Sequence, residues 1–595
     1  MLLLFGIIMQ SCYSAVISIN VGGFTSTWVI SQPYLLIQNL LGTSDDDDAQ
    51  NGADNDDFGK SKILSAYIVP GTACLASGQF DSLVFTNEGL LILGNSPGTL
   101  TVHGNYTQTQ GGNLLIRVAS STVHDQVIVS GKALLGGRLI VTPYNGFQFA
   151  FGQKFGFLTA ASIKGSFSEI DAPAGYRARL TIVGDPVAYI NLAPASYTQL
   201  AASPNQYQVA KALDSFIPAT SGDQLVVSTT LDSLTASQYQ AAFNAIAPTI
   251  YQSESTIAFN LANAQNQELL QRLWGVRVAG TGFSMSGFAD NTMVVEGQGD
   301  KSVLDSKKDI LRPGADNHWG MFVDGNGIFA TANSGNLLPN YNSQSGGVTT
   351  GMTYKWNDSF GTGIYAGYEG SYSKYSGGST LIDNSVRFGL FGTYGHPDGK
   401  GFYADGLIGG GYNNYQVSRN ISFGTLNRTA NSTPGAGELD SMLAGGYDIK
   451  KGNWTYGPTT SLQYTYFGAN PVNETGAQSL DFNSSGWNTS SLLYSLGAHV
   501  AYSWQANKDV LVVPQISLSW QHEFLQSPYS VNGSLGGSPT FSNTSATPIR
   551  DTLYTGVGFT VELYKKWNTS LFYNASAGNS DLTSQNIFWS AGVKF

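Results

Sequence analysis

From His318 onward, apolar residues alternate with polar or small ones at a period of two, segment after segment, and no other feature of the chain limits its fold so tightly. Across 490–503, Leu492, Tyr494, Leu496, Ala498, Val500 and Tyr502 alternate with Leu493, Ser495, Gly497, His499, Ala501 and Ser503. Across 512–523, Val512, Pro514, Ile516, Leu518 and Trp520 alternate with Val513, Gln515, Ser517, Ser519 and Gln521. Within 362–372, Ile364, Ala366, Tyr368 and Tyr372 alternate with Gly363, Tyr365, Gly367, Glu369 and Ser371. Successive side chains of a strand point to opposite faces, so each segment has one apolar and one polar face. Segments of about ten residues, separated by Gly, Asn, Ser or Asp turns, match tilted strands that cross a bilayer. About twelve of them fit before Phe595, an even number as single-chain bacterial barrels require.

A soluble sandwich would alternate too, and composition decides between the two. Charged residues make up 12% of the 595-residue chain, against about 25% in soluble globular proteins. Gly (71), Tyr (31) and Phe (31) are abundant. The mean hydropathy of −0.07 is too polar for a helical membrane protein, and no apolar run beyond the N-terminus suggests a transmembrane helix. A strand with one face to lipid and one to water accounts for both facts. Acidic residues outnumber basic ones, 40 to 29, giving a net charge of −11 with no basic run. That balance argues against nucleic acid as a partner.

The final segment, Ile587-Phe-Trp-Ser-Ala-Gly-Val-Lys-Phe595, places Ile587, Trp589, Ala591, Val593 and Phe595 on one face. It resembles the closing strand of outer-membrane proteins, whose alternating apolar residues and terminal aromatic are the signal read by the barrel-assembly machinery. Three further segments occur in order: His318-Trp-Gly-Met-Phe-Val-Asp-Gly-Asn-Gly327, Gly346-Gly-Val-Thr-Thr-Gly-Met-Thr-Tyr-Lys-Trp-Asn357 and Val513-Pro-Gln-Ile-Ser-Leu-Ser-Trp-Gln-His-Glu-Phe524. Together they resemble the C-terminal β-barrel of the type V autotransporter family. Upstream, Gly94-Asn-Ser-Pro-Gly-Thr-Leu-Thr-Val-His-Gly-Asn-Tyr106 and the run from Asp125 to Leu139 resemble rungs of the β-helix in that family's passengers. Phe151-Gly-Gln-Lys-Phe-Gly-Phe-Leu-Thr159, followed by Phe167, resembles its closing rungs.

The expected fold is therefore mainly all-β: a C-terminal 12-stranded transmembrane barrel over 317–595, preceded by a short solenoid-like passenger over 16–195 and a helical linker or pore segment over 196–316. Read from the residues alone, the short strands of 80–195 suit a sandwich or a solenoid equally. Residues 1–15 hold an apolar core of signal-peptide length, although no Lys or Arg precedes it. The only cysteines are Cys12 and Cys74, leaving one thiol if Cys12 departs with a signal peptide. The carboxylates at 45–48 and 54–57 lack the glycine and distal glutamate of a calcium loop and read as a solvated acidic loop.

Within the linker, 203–216, 237–246 and 253–274 look helical, the last with a serine N-cap, Arg272 in its final turn and Gly275 just past its end. It carries Asn260, Asn263, Gln265, Asn266, Gln267, Glu268 and Arg272 among small residues. That polarity suits a water-lined barrel lumen; the competing reading is an amphipathic helix packed through Leu261, Leu269, Leu270 and Leu273 on a soluble domain. Part of 276–316 could fill the pore instead.

Catalytic and metal sites are not expected, and no cofactor is implied. The six histidines are scattered with no His-x-x-x-His pair, and no Cys-x-x-Cys, phosphate loop or Gly-x-Ser-x-Gly elbow occurs. His124 and Asp125 are adjacent, so on a strand they point apart and make a poor triad. The asparagine pair that some autotransporters use to cut their passengers is not seen near 250–316. The resemblance implies an outer-membrane protein of a Gram-negative type of cell whose barrel translocates and anchors its own passenger at the surface, for adhesion or another contact. Implied partners are outer-membrane lipid, the barrel-assembly machinery, periplasmic chaperones and a ligand on a host or neighbouring cell. The alternative is a porin-like or structural barrel with a periplasmic N-terminal domain; an enzymatic passenger ranks third.

Overall fold

The computed structural model describes residues 15–21, 24–30, 36–37 and 63–594, except 69, 77, 81, 95–96, 185, 280–318, 334–339, 358, 397–398, 565–566 and 579–581. The candidate signal peptide, Cys12, the acidic loop, most of the 276–316 segment and Phe595 lie outside the described residues. The chain divides into two compact units, one of 1–201, 219–241 and 423–425, the other of 202–218, 242–422 and 426–595.

The first unit resolves the choice between sandwich and solenoid in favour of the solenoid. Each turn of chain passes through one strand of each of three parallel sheets. Ser82–Asn87, Leu90–Leu93 and Thr99–Val102 make one rung; Asn105–Gln108, Asn113–Val118 and Gln126–Val129 the next; Lys132–Leu135, Arg138–Pro143 and Lys154–Thr159 the third. Alternation drives this arrangement, because every second side chain enters a shared core. Leu91, Leu114 and Leu139 stack in register at its centre, and Phe85 stacks on Tyr106 with ring centroids 6.0 Å apart. Corners need glycine: a Cβ on Gly137, at φ +61°, would lie 2.1 Å from the Gly112 carbonyl oxygen.

Two carboxylates hold this unit together at its polar points. Asp125, fully buried, accepts from the Gly98 amide at 2.6 Å and from the Arg117 amide and Nε at 2.8 and 2.9 Å. It is therefore a corner clamp, while the His124 ring sits edge-on to Phe155. An antiparallel hairpin, Tyr176–Val183 with Val187–Pro194, closes the last rung. Asp232 binds that hairpin: it accepts from both Arg177 guanidinium nitrogens, from Arg179 at 3.2 Å and from the Tyr197 hydroxyl at 2.8 Å.

Among the described residues the α-helices are α1 (Pro204–Asp214), α2 (Gly222–Asp232), α3 (Ala236–Ile246) and α4 (Gln252–Ala279). α1 begins as its sequence suggests, with Ser203 capping the Gln206 amide and Pro204 at the first position. α4 does not stop at Gly275. A glycine costs about 1 kcal/mol inside a helix relative to alanine, too little to end one when helix-compatible residues follow.

The second unit is a closed antiparallel barrel of twelve strands. They are β1 (Trp319–Ala332), β2 (Tyr341–Lys355), β3 (Phe360–Tyr375), β4 (Thr380–Gly395), β5 (Gly401–Phe423), β6 (Gly435–Lys451), β7 (Trp454–Ala469), β8 (Trp487–Tyr502), β9 (Val510–Glu523), β10 (Asp551–Leu563), β11 (Trp567–Ala577) and β12 (Leu582–Lys594). Each pairs with the next, and β1 pairs with β12 from Gly320↔Lys594 to Ala332↔Leu582. Phe388, Leu390, Ile408 and Leu443 point outward, and Asp324, Glu438, Gln463 and Gln515 inward. The connections at 356–359, 396–400 and 452–453 are short, whereas at the opposite end 470–486 and 524–550 are long. The long pair supplies a small sheet of its own from Val472–Asn473, Phe482–Ser484, Ser530–Leu535 and Phe541–Thr544.

Replacing Asp125 with alanine leaves Arg117 and the Gly98 amide without their buried partner. The expected cost is about 3–5 kcal/mol, read as earlier proteolysis of the first unit along a urea gradient while the barrel stays intact.

Candidate functional site

What the barrel does depends on what fills it, and α4 does. Most of its residues from Gln252 to Trp274 are buried and none is exposed, against polar side chains that strand alternation turns inward. One side leans on an apolar shelf: Leu269 and Leu273 meet Phe322, Tyr365, Phe391, Leu407 and Met442. That shelf exists because lumen glycines leave room for flat rings. A Cβ on Gly351 would lie 2.3 Å from the Phe322 ring, one on Gly363 2.2 Å from the Phe391 ring, and one on Gly409 2.4 Å from the Tyr365 hydroxyl.

The remaining faces of α4 are held by hydrogen bonds around the wall. Arg272 donates to Asp324 on β1 at 3.3 Å and to Ser590 on β12 at 2.6 Å, and its guanidinium lies 4.1 Å above the Phe322 ring. Glu268 accepts from Asn326 at 3.1 Å and from Asn586 at 2.8 Å. Gln265 donates to Thr349 at 2.9 Å, Asn266 to Asp440 at 3.0 Å and Gln271 to Asn574 at 2.8 Å. From the wall, Arg387 donates to the Ala258 carbonyl at 3.2 Å while paired with Glu438. Near the short-turn end, Trp274 stacks on His499 with centroids 4.1 Å apart, and His499 Nε2 lies 2.7 Å from Asp448.

A second knot fixes the chain just before α4. Arg419 grips Glu474 through two nitrogens, at 2.9 and 2.5 Å, and donates to the Ile246 carbonyl at 2.6 Å, in the last turn of α3. The Tyr251 hydroxyl donates to the same Glu474 at 2.6 Å. Both members of the Arg419–Glu474 pair are buried.

Of the helix residues singled out by sequence, Asn266 and Arg272 bind the wall, whereas Asn260 and Asn263 face a cavity of about 140 Å³ between α4 and the wall of β7–β12. Gln267 lines a second cavity of about 80 Å³ toward the short-turn end. Gln265 and Glu268, also read as lumen-facing polarity, bind the wall as well, whereas sequence reasoning missed Gln271 and Trp274 as anchors. Their spacing gives each a different bearing around the axis, and only a helix surrounded by wall uses all of them. On β12, Ile587 and Trp589 point outward at 49% and 47% exposure, with Ala591 and Val593 on the same face.

A closed twelve-stranded barrel with an apolar exterior and a polar interior defines the class: this is an outer-membrane β-barrel. Residues 321–574 match the family model described as the autotransporter beta-domain. The match lies within the barrel and covers less than half of the chain. Solved structures similar to it include the translocator domain of the autotransporter NalP from Neisseria meningitidis, at 15% identity over 48% of this chain and 92% of that one, with a TM-score of 0.38. The beta domain of the Bordetella autotransporter BrkA is similar at 16% identity over 47% of this chain and all of that one, with a TM-score of 0.36. No curated protein matches the sequence.

Arg272→Ala removes the countercharge of the buried Asp324 and leaves it the Ser590 hydrogen bond. The expected loss is about 3–5 kcal/mol, read as a lower temperature at which the folded barrel unfolds on a gel. Arg272→Lys, which keeps the charge, should recover part of it.

Proposed function

We propose that the barrel exports and then anchors the N-terminal solenoid at the cell surface, where the solenoid serves adhesion or another contact. The observation that supports this is the direction of α4. Its first residues meet the long-loop end: Ser253 bonds Tyr375 and Gln252 donates to the Asn543 carbonyl at 2.8 Å. Its last described contacts, Arg272 with Asp324 and Trp274 with His499, lie toward the short-turn end. In outer-membrane barrels short turns face the periplasm and long loops the exterior. A chain threaded this way has everything before Gln252 emerging outside.

The mechanism is physical. A rung-by-rung solenoid buries a continuous core as it forms, so folding outside the cell opposes return through the pore. The outward face of Ile587, Trp589, Ala591 and Val593 is the surface offered to the barrel-assembly machinery, with periplasmic chaperones acting earlier. We assign no catalytic role: Asp125 is committed to Arg117 and Gly98. The ligand is a molecule on a host or neighbouring cell.

Native Cys74 is a poor reporter of this topology, because it is 2% exposed and burial pushes its thiol up to about 12. Ser121→Cys in an exposed solenoid loop and Lys508→Cys in a short turn are better placed. With an impermeant maleimide on intact cells, Ser121→Cys should label and Lys508→Cys should label only after the outer membrane is opened. The reverse pattern would move the solenoid to the periplasm and favour a structural barrel.

A further inference from the structure

α4 carries one carboxylate into the lumen without any hydrogen-bond partner: both oxygens of Glu254 lack one, and the residue is 0% exposed. Asp383, on the inner face of β4, has the same two properties. The two groups lie within electrostatic reach of each other. Tyr415 links them, since it pairs with Asp383 across β4 and β5 and its hydroxyl donates to the Glu254 carbonyl at 3.5 Å. The contrast with the rest of the lumen is sharp. Asp324, Glu268, Glu438 and Asp440 each accept from an arginine or an amide. The nearby Arg387 pairs with Glu438 and the Ala258 carbonyl through Nη2 and hydrogen-bonds neither carboxylate, although its Nη1 has no partner.

Two buried carboxylates within electrostatic reach of each other and without donors are costly unless a positive charge offsets them. Oxygen donors lie beside the pair: Ser371 pairs directly with Asp383 across β3 and β4, and the Tyr415 and Tyr375 hydroxyls lie on the flanking strands. Tyr375 also bonds Ser253, the neighbour of Glu254. Hard divalent cations take oxygen ligands of this kind, and two carboxylates match their charge. We propose that Glu254 and Asp383, with Ser371 and Tyr415 beside them, bind one Ca²⁺ or Mg²⁺ that ties the helix to the barrel wall. The proposal rests on α4 lying in the lumen and not on where the solenoid ends up.

The test uses the full chain, folded in detergent micelles and stripped with a chelator. Terbium is titrated in and excited through the tyrosines, then displaced with Ca²⁺ or Mg²⁺, and the unfolding temperature of the barrel is followed with each. The expected result is one terbium per chain, displaced by at least one of the two ions, with that ion raising the unfolding temperature. Which ion displaces better tells calcium from magnesium. Asp383→Asn and Glu254→Gln should each weaken binding by at least about tenfold, and Asp405→Asn, elsewhere in the lumen, should not. Absence of binding by the unaltered protein overturns the proposal, as does binding that survives both substitutions. Stabilisation by acid with indifference to cations also overturns it, because a shared proton then joins the pair. If the variants do not assemble, the titration of the unaltered protein decides alone.

Discussion

Everything in the second unit depends on the pairing of β1 with β12. In hydrocarbon an unpaired backbone amide has no water to turn to, so a sheet can span a membrane only if its first and last strands meet. Here they meet without a register break from Gly320↔Lys594 to Ala332↔Leu582. Closure converts a chain of ordinary hairpins into a cylinder with two chemically distinct surfaces. It also creates an interior that must be filled or left wet, and α4 is the answer this sequence gives to that requirement.

The filling is uneven for a reason that begins with glycine. On the wall of β1–β6, glycines opposite Phe322, Phe391 and Tyr365 let those rings lie flat and make an apolar shelf. The helix rests there through two leucines. On the β7–β12 side, Gln463, Thr465, Asn574 and Asn586 line an open cavity instead. An abundance of glycine and aromatic residues, which composition alone can read only as a hint of membrane strands, turns out to set which side of the pore is solid.

How much was legible depends on the range of the interaction. Alternation is local, so the strands of the barrel, their number and the inward or outward sense of Ile587 or Gln515 could be read from neighbours in the chain. α1 announced itself by Ser203 and Pro204. α2 did not: Leu225-Val-Val-Ser-Thr-Thr230 is β-branched and reads poorly as helix. It is held instead by Asp232, whose partners Arg177, Arg179 and Tyr197 are remote in sequence. The partners of the α4 anchors were hidden for the same reason. Glu268 is defined by Asn326 and Asn586, and Arg272 by Asp324 and Ser590, pairings that exist only after the barrel has closed. Gly275 misled because a residue that commonly ends helices is only weakly unfavourable inside one.

The knot of Arg419, Glu474 and Tyr251 has a mechanical consequence. A pull on the chain from its N-terminal side travels down α3 and reaches the Ile246 carbonyl held by Arg419 before it reaches α4. The load is then borne by a buried, two-pronged ion pair that is itself part of the loop sheet, since Glu474 also accepts from the Phe482 amide at 2.7 Å. Shear on whatever lies upstream thus meets the barrel rim before it meets the helix in the lumen.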